Sequence, residues 1–324
     1  MKTLILHDEF KIGARNQCVG LAQALDSTTD IHPVCIRFPY GYLPEILWPQ
    51  SLESLLVQPL DLSPGIPDII MASGRRSIVP ALLYKKKFPT AFLILLQKPG
   101  SFKAEANAII VPEHDGLEND PKTLTLLGNP HSVIPEDLEN AITSFPELQR
   151  RVLGYTVVTI LIGGPNKAFR FSPTHMHKYW EKLQSNLSKD PSLFYLVSFS
   201  RRTPQDFIDV MQAITHPRIY VWNGKGPNPY LAFLAFASTF VITADSVAMT
   251  SEAAATGKPI YLLPLDGGNA KFKRYHEALK RHGVTRIYTG QMEHWTYKPL
   301  KETQRAAKWI LEKMKERISF GTKE

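Results

Sequence analysis

The sequence predicts an α/β protein made of two doubly wound domains facing a shared crevice. Three observations carry this prediction. Short apolar runs of strand length alternate with segments whose apolar residues fall at helical spacing, the order that builds a parallel sheet. The alternation pauses once, between Leu127 and Gly154, and then restarts. Each half also holds an apolar run that ends in a serine and two arginines before a helical segment. These runs are Ile69-Ile70-Met71-Ala72-Ser73-Gly74-Arg75-Arg76-Ser77 and Leu196-Val197-Ser198-Phe199-Ser200-Arg201-Arg202-Thr203-Pro204. A length of 324 residues suits two cores better than one. The expected domains are residues 1–150 and 151–300, with 301–324 a helix packing back on the body.

The elements follow in order. Thr3–His7 reads as a short buried strand, and Asn16–Leu25 carries Val19, Leu21, Ala22 and Leu25 at helical spacing. Val34–Phe38 is the next expected strand. The proline-rich stretch from Pro39 to Pro67 reads as irregular, with one short helix. Asp68–Ala72, Ala91–Gln97 and Ala108–Val111 read as strands and Ser77–Lys87 as a helix. Pro130, Pro135 and Pro146 mark Leu127–Gly154 as a linker. In the second half, Thr156–Ile162, Leu193–Phe199, Arg218–Val221, Thr239–Thr243 and Pro259–Leu263 read as strands. Ser172-Pro173 and Thr203-Pro204 are expected to cap and start helices. Ser246–Thr256 is a helix closed by Gly257 and Pro259. Ala306, Trp309, Ile310 and Met314 share one face of the C-terminal helix.

Composition narrows the partners. The chain is 44% hydrophobic and 21% charged, ordinary for a soluble globular protein. A net charge of +8 favours anionic partners. The basic residues are scattered, apart from Lys85-Lys86-Lys87 and Lys271-Phe272-Lys273-Arg274, so no nucleic-acid module is visible and no nucleic-acid partner is expected. Cys18 and Cys35 form no CxxC pair, which fits a reducing, cytoplasmic location. The apolar run near Met1 is too short for a signal peptide. No run approaches the roughly 18 residues of a spanning helix. Peripheral contact with the inner membrane face is compatible with the positive charge. No HExxH occurs, and His175 and His177 fall on different helix faces, so no metal is expected.

Chemistry gathers at the strand ends. Arg75 and Arg76 in one half and Arg201 and Arg202 in the other place forked donors beside expected helix N-termini, where free backbone N–H groups already favour an anion. One of Arg201 and Arg202 can instead form an interdomain ion pair. Ile162-Gly163-Gly164-Pro165-Asn166-Lys167 is either a tight turn or a place where phosphate approaches the backbone. It is neither GxGxxG nor GxxxxGK[ST], which sets aside the dinucleotide fingerprint and the P-loop. In Thr243–Pro259 a helix of small residues follows a strand. Asp245 or Ser246 caps it, and Ser246, Met249 and Thr250 lie at its anion-attracting end. Glu252 is its one carboxylate. It suits a ribose diol, or equally a solvated helix face. A nucleotide diphosphate in the crevice accounts for these features together.

Six segments occur in one order: Ser73-Gly74-Arg75-Arg76-Ser77, Val111-Pro112-Glu113-His114-Asp115, Leu161-Ile162-Gly163-Gly164-Pro165-Asn166-Lys167, Ser200-Arg201-Arg202-Thr203-Pro204, Asn228-Pro229-Tyr230 and Thr243–Pro259. In this the chain resembles the plant elongated-mitochondria fission family and its bacterial homologues over nearly its whole length. The resemblance implies a GT-B-like fold of two Rossmann-like domains. It also implies kinship with nucleotide-sugar glycosyltransferases, whose donor sits mainly in the C-terminal domain. Under it, Gly163, Gly164 and Asn166 face the diphosphate and Arg201 or Arg202 neutralises it. Ser246, Met249 and Thr250 line the sugar-phosphate end, Glu252 holds the ribose, and Val221, Trp222, Asn228 and Tyr230 shape the wall at the base. The family also has an aspartate-glycine-lysine-x-glycine-histidine-x-asparagine-glutamine turn near its N-terminus. Asp8, Lys11, Gly13, Asn16 and Gln17 match it, whereas Glu9 replaces a glycine and Ala14 the histidine. Asp8 or Glu9 then becomes the expected general base on an acceptor hydroxyl, with Glu113, His114 and Asp115 competing for that role.

The expected activity is transfer of a sugar from a nucleotide-diphosphate sugar to an acceptor hydroxyl, for instance on an envelope glycolipid. No cofactor is expected beyond that substrate. Two rivals follow from the same resemblance: a nucleotide-sugar epimerase on the same fold, and an adaptor that keeps the fold without catalysis, as plant members recruit a dynamin-type fission protein.

Overall fold

The computed structural model describes residues 1–9, 12–58, 65–116 and 120–321. The chain divides into two compact units, Met1–Ser132 with Lys301–Glu324, and Val133–Leu300. Lys11, one of the matches to the family turn, lies outside the described residues.

The first unit runs β1 (Lys2–Asp8), α1 (Ile12–Ala24), β2 (Thr28–Val34), α2 (Leu52–Leu55), β3 (Ile69–Ser73), α3 (Arg75–Lys87), β4 (Phe92–Leu96), β5 (Ala108–Pro112) and β6 (Thr123–Leu126). Its six strands are parallel in the order β2-β1-β3-β4-β5-β6. The inner strands are apolar throughout because both faces of the sheet are covered. Leu4, Leu6, Ile70 and Ala72 meet Ile78 and Val79 of α3 in one cluster. Ile5, Ile69 and Met71 meet Cys18 and Leu21 of α1 in another. β2 departs from expectation: the strand predicted at Val34–Phe38 lies at Thr28–Val34 instead. An edge strand is unpaired on one side, so it tolerates Asp30, His32 and even Pro33, which lacks an N–H, and gives no apolar signal.

The second unit runs α4 (Pro135–Ser144), α5 (Pro146–Val152), β7 (Thr156–Ile162), β8 (Phe169–Arg170), α6 (Pro173–Lys189), β9 (Leu193–Phe199), α7 (Gln205–Gln212), β10 (Ile219–Val221), α8 (Tyr230–Phe236), β11 (Thr239–Thr243), α9 (Val247–Ala254), β12 (Ile260–Leu263), β13 (Asp266–Gly267), α10 (Ala270–Arg281) and β14 (Thr285–Ile287). Its main sheet is parallel in the order β10-β9-β7-β11-β12-β14. The antiparallel pair β8 and β13 ties the loop after β7 to the loop after β12.

The expected boundary at residue 150 and the expected linker both need correction. Units divide at Ser132/Val133, and the presumed linker contains α4 and α5. Its prolines start helices: Pro135 and Pro146 occupy the first turns of α4 and α5, where a missing N–H is harmless. Ala141, Leu148 and Val152 then pack on Phe194, Leu196, Ala232 and Phe233, which binds these helices to the second unit.

The chain ends in α11 (Glu302–Gly321), which returns to the first unit. Ala306, Ala307 and Ile310 complete the cluster around Ile5 and Cys18. Glu302 accepts from the Leu127 N–H at 2.6 Å, and the Thr303 hydroxyl accepts from the His131 N–H at 3.0 Å. Among the described residues no helix is long and apolar enough to cross a membrane.

Candidate functional site

In the second unit the strand order reverses between β7 and β11, the place where loops from a doubly wound sheet diverge and leave room for a ligand. Three loops meet there. The Gly163 N–H donates to Thr243 Oγ1 at 2.6 Å, and the Gly164 N–H donates to Asp245 Oδ2 at 3.1 Å. Arg202 folds back over the same loops. Its Nη2 donates to Asp245 Oδ2 at 2.6 Å, and its Nη1 to the carbonyls of Gly164 and Pro165 at 3.0 and 3.3 Å. Thr203 donates to the carbonyls of Ile162 and Gly163. Asp245 is the hub. It is buried, Oδ2 serves both the glycine loop and Arg202, and Oδ1 has no hydrogen-bond partner among the described residues. Sequence reasoning treated it only as a possible helix cap, because a buried carboxylate joining distant loops leaves no local pattern.

This geometry gives several of the expected site residues structural roles. The glycines are needed for loop packing: a Cβ on Gly163 would stand 2.2 Å from Asp245 Oδ1, and one on Gly164 would stand 2.0 Å from the Arg202 carbonyl oxygen. Arg202 is therefore a clamp on the glycine loop, whereas exposed Arg201 has no ion pair or hydrogen bond to a described residue. Thr203 does not cap α7, which begins after Pro204 with no side-chain cap. Ser246 does cap α9, accepting from the Met249 N–H at 3.3 Å. Thr250 is buried and its hydroxyl donates to the Ser246 carbonyl at 2.8 Å. The first turn of α9 leaves the N–H groups of Val247 and Ala248 without intrahelical acceptors. Asn166 braces its own turn, its Oδ1 accepting from the N–H groups of Ala168 and Phe169.

Glu252 stands on α9 opposite Tyr230 of α8, whose hydroxyl donates to its Oε2. Burial raises the Glu252 carboxyl to about 7, against the smaller opposing effect of the tyrosine bond. Burial and the neighbouring carboxylate push the Tyr230 hydroxyl well above its ordinary value. Trp222 follows β10, half-buried, its Nε1 donating to the Lys225 carbonyl at 3.3 Å.

Beyond Ala244 a cavity of about 430 Å³ opens at the carboxyl ends of β11, β12 and β14. Phe169, Leu265, Asn269, Phe272 and His276 line it with Ala244. The Phe169 and Phe272 rings meet edge to face at 4.8 Å. His276 Nε2 lies 2.8 Å from the Ala244 carbonyl, which only accepts, so the proton sits on Nε2 and Nδ1 is an acceptor. Nδ1 is buried with no hydrogen-bond partner among the described residues, and burial lowers the imidazole pKa and favours the neutral form. Nothing in the sequence marked His276, which sits mid-helix among lysines.

In the first unit the order reverses between β1 and β3. Asp8 and Glu9 at the end of β1 therefore flank the Gly74-Arg75-Arg76 turn after β3. Asp8 is buried, and Glu9 accepts a hydrogen bond from the Cys35 thiol, whose pKa burial and Glu9 raise and nearby Arg76 lowers. Arg75 is ion-paired to Glu45 and donates to the Leu43 carbonyl at 3.0 Å. His114 is buried after β5, three strand spacings from β1, or roughly 14 Å at the usual strand separation. Asp8 and His114 thus belong to different places on the sheet edge. Gln17 and Ala14 are buried in α1 and Asn16 is exposed. Among the described residues no group of three or more His, Cys, Asp or Glu side chains is placed to hold a metal ion.

The family model for mitochondrial fission ELM1 matches residues 12–314. Mitochondrial fission protein ELM1 of Arabidopsis thaliana is 27% identical over 267 residues, covering 74% of this chain and 62% of the plant protein. The match thus spans less than two thirds of that relative's length. The Rickettsia prowazekii protein RP120 is 28% identical over 351 aligned residues, covering 96% of this chain and 98% of its own length. Among solved structures, the UDP-GlcNAc 2-epimerase of Methanocaldococcus jannaschii matches with a TM-score of 0.57 at 12% identity, covering 96% of this chain and 99% of that one. That likeness, with the two parallel sheets, shows an α/β fold of two Rossmann-like units of the GT-B class.

Proposed function

The chain belongs to the mitochondrial fission ELM1 family, and from that premise and the loop geometry we propose that it is a GT-B-type glycosyltransferase acting on a nucleotide-diphosphate sugar. The observation that carries the reading is the meeting of the β7, β9 and β11 loops with the α9 N-terminus at the strand reversal. There the diphosphate faces Arg201 and the N–H groups of Val247 and Ala248, on a platform made rigid by Asp245 and Arg202. Ser246 and Met249 border this end, and Gly163, Gly164 and Asn166 shape its floor. Glu252 accepts from the ribose diol, Trp222 borders the base, and the glycosyl group enters the cavity beyond Ala244. Asn269 and the neutral His276 supply polar atoms in that cavity.

In the reaction the acceptor oxygen bonds to the anomeric carbon, and the bond from that carbon to the diphosphate oxygen breaks. The acceptor proton passes to a general base, and the nucleoside diphosphate leaves as an anion held by Arg201 and the helix tip.

A thermal-shift panel of nucleoside diphosphates and their sugars tests the reading. One base class is expected to raise the melting temperature, and Arg201→Ala and Glu252→Ala each to weaken that response at least tenfold. Incubation of the bound sugar donor with no acceptor separates the enzymes: an altered sugar would identify an epimerase. No response to any nucleotide would overturn the reading and count for a non-catalytic adaptor.

A further inference from the structure

We propose that the segment Phe38–Leu47 is a docking surface for an anionic lipid membrane, on grounds independent of the nucleotide reading. Four large apolar side chains lie open to solvent within these ten residues: Phe38 at 81%, Tyr42 at 81%, Ile46 at 86% and Leu47 at 60%. Single exposed apolar residues are ordinary, but four on one short segment make a patch that calls for a partner.

The segment is held in this display. Tyr40 and Leu43 pack onto the core of the first unit, and Trp48 is buried with its Nε1 donating to the Leu43 carbonyl at 3.1 Å. Two single-turn 3-10 helices, Tyr40–Tyr42 and Glu45–Leu47, set the spacing between the inward and outward residues. The Phe38 and Tyr42 rings brace each other edge to face at 6.3 Å.

The flanking charge identifies the occupant. Among the described residues the Arg37 guanidinium donates to the carbonyls of Glu53 and Leu56 and is paired with no carboxylate. α3 runs alongside, from Arg75 bonded to the Leu43 carbonyl to exposed Lys86 and Lys87 at its far end. Residues 36–58 and 75–87 together hold Arg37, Arg75, Arg76, Lys85, Lys86 and Lys87 against only Glu45 and Glu53. An apolar tip with cations of one sign behind it matches the membrane interface: apolar groups enter the headgroup and acyl boundary while the cations face lipid phosphates. A protein partner would be matched by a broad face with a rim of mixed charge.

Flotation of the full chain with vesicles tests this, using phosphatidylcholine alone and phosphatidylcholine mixed with phosphatidylglycerol. The protein is expected to float with the mixed vesicles, less so as salt rises. Ile46→Asp and Phe38→Asp are each expected to lower the bound fraction about tenfold. Lys86→Glu with Lys87→Glu is expected to lower it comparably. All four positions are exposed, so circular dichroism and melting temperature stay at parent values. Absence of flotation with the mixed vesicles, or undiminished flotation of Ile46→Asp, overturns the proposal. So does a parent dimer in light scattering that Ile46→Asp converts to monomer, which would assign the patch to self-association. Ile46→Asp keeps the parent's nucleotide response, so failure of one reading is distinguishable from failure of the other.

Discussion

The two double-arginine turns look alike in sequence and differ in what their guanidiniums do. After β3 the helix begins at once, with Arg75 its first residue, and Arg75 reaches sideways to Glu45 and Leu43 on a neighbouring loop. After β9 the chain runs on through Arg201, Arg202 and Thr203 before α7 starts at Gln205. That extra length lets Arg202 turn back onto a buried aspartate and two carbonyls of the glycine loop. In each turn one arginine is tied to a carboxylate. The lesson is that a double arginine behind a strand divides into a structural arginine and a remaining one, and only the surroundings say which is which.

The comparison predicts unequal costs when the carboxylates are removed. Asp245→Ala is the largest: it leaves the Gly164 N–H and the Arg202 guanidinium without their shared acceptor and should cost about 3 kcal/mol by denaturant unfolding. A cost below about 1 kcal/mol would mean that water replaces the carboxylate and that the clamp is loose. Gly164→Ala comes next, at about 2 to 3 kcal/mol, because its methyl would meet a main-chain carbonyl that cannot rotate away.

Glu252 gives a pH-dependent effect. Its carboxyl is raised from 4.5 to about 7 in the folded protein, so folding favours the protonated form. That stability is fully present below the unfolded value and is lost as pH rises through the folded one. Glu252→Gln should therefore stabilise the protein by about 1 to 2 kcal/mol at pH 8 and hardly at all at pH 4. Binding of a nucleotide sugar should run the other way, strengthening as Glu252 ionises, and isothermal titration across the same pH range reads this directly. The smallest effect is at Arg75. Its partner Glu45 begins a single-turn 3-10 helix at the surface and Arg75 is itself exposed, so Glu45→Ala should move stability by no more than about 0.5 kcal/mol. A cost comparable to that of Asp245→Ala would erase the contrast between the two turns.

Much of the architecture was readable because apolar strands covered on both faces leave long Val, Ile and Leu runs. β1, β3, β4, β5, β7, β9, β11 and β12 fall within a residue or two of where these runs predict them. Of the four edge strands of the main sheets, β2, β6 and β14 escaped, because a strand unpaired along one side needs no continuous apolar run, whereas Ile219-Tyr220-Val221 made β10 legible. α4 and α5 escaped for a different reason: proline reads as a breaker unless its position in the first turn is known. In the candidate site, Ser246 was legible as a cap and Glu252 as a lone carboxylate. Asp245 and His276 were not, because their importance comes from Gly164, Arg202 and Ala244, which are distant in sequence.

The order of residues alone determined that this chain makes two parallel sheets with loops carrying glycine, arginine and capping serine at the strand ends. Local hydrophobic period and capping chemistry suffice for that, because both act within a few residues. Only the folded chain decided which arginine is a clamp, that Thr250 faces inward, and that Glu252 holds a proton near neutrality. Those outcomes depend on burial and on partners tens of residues away, and neither is written in any local window of sequence.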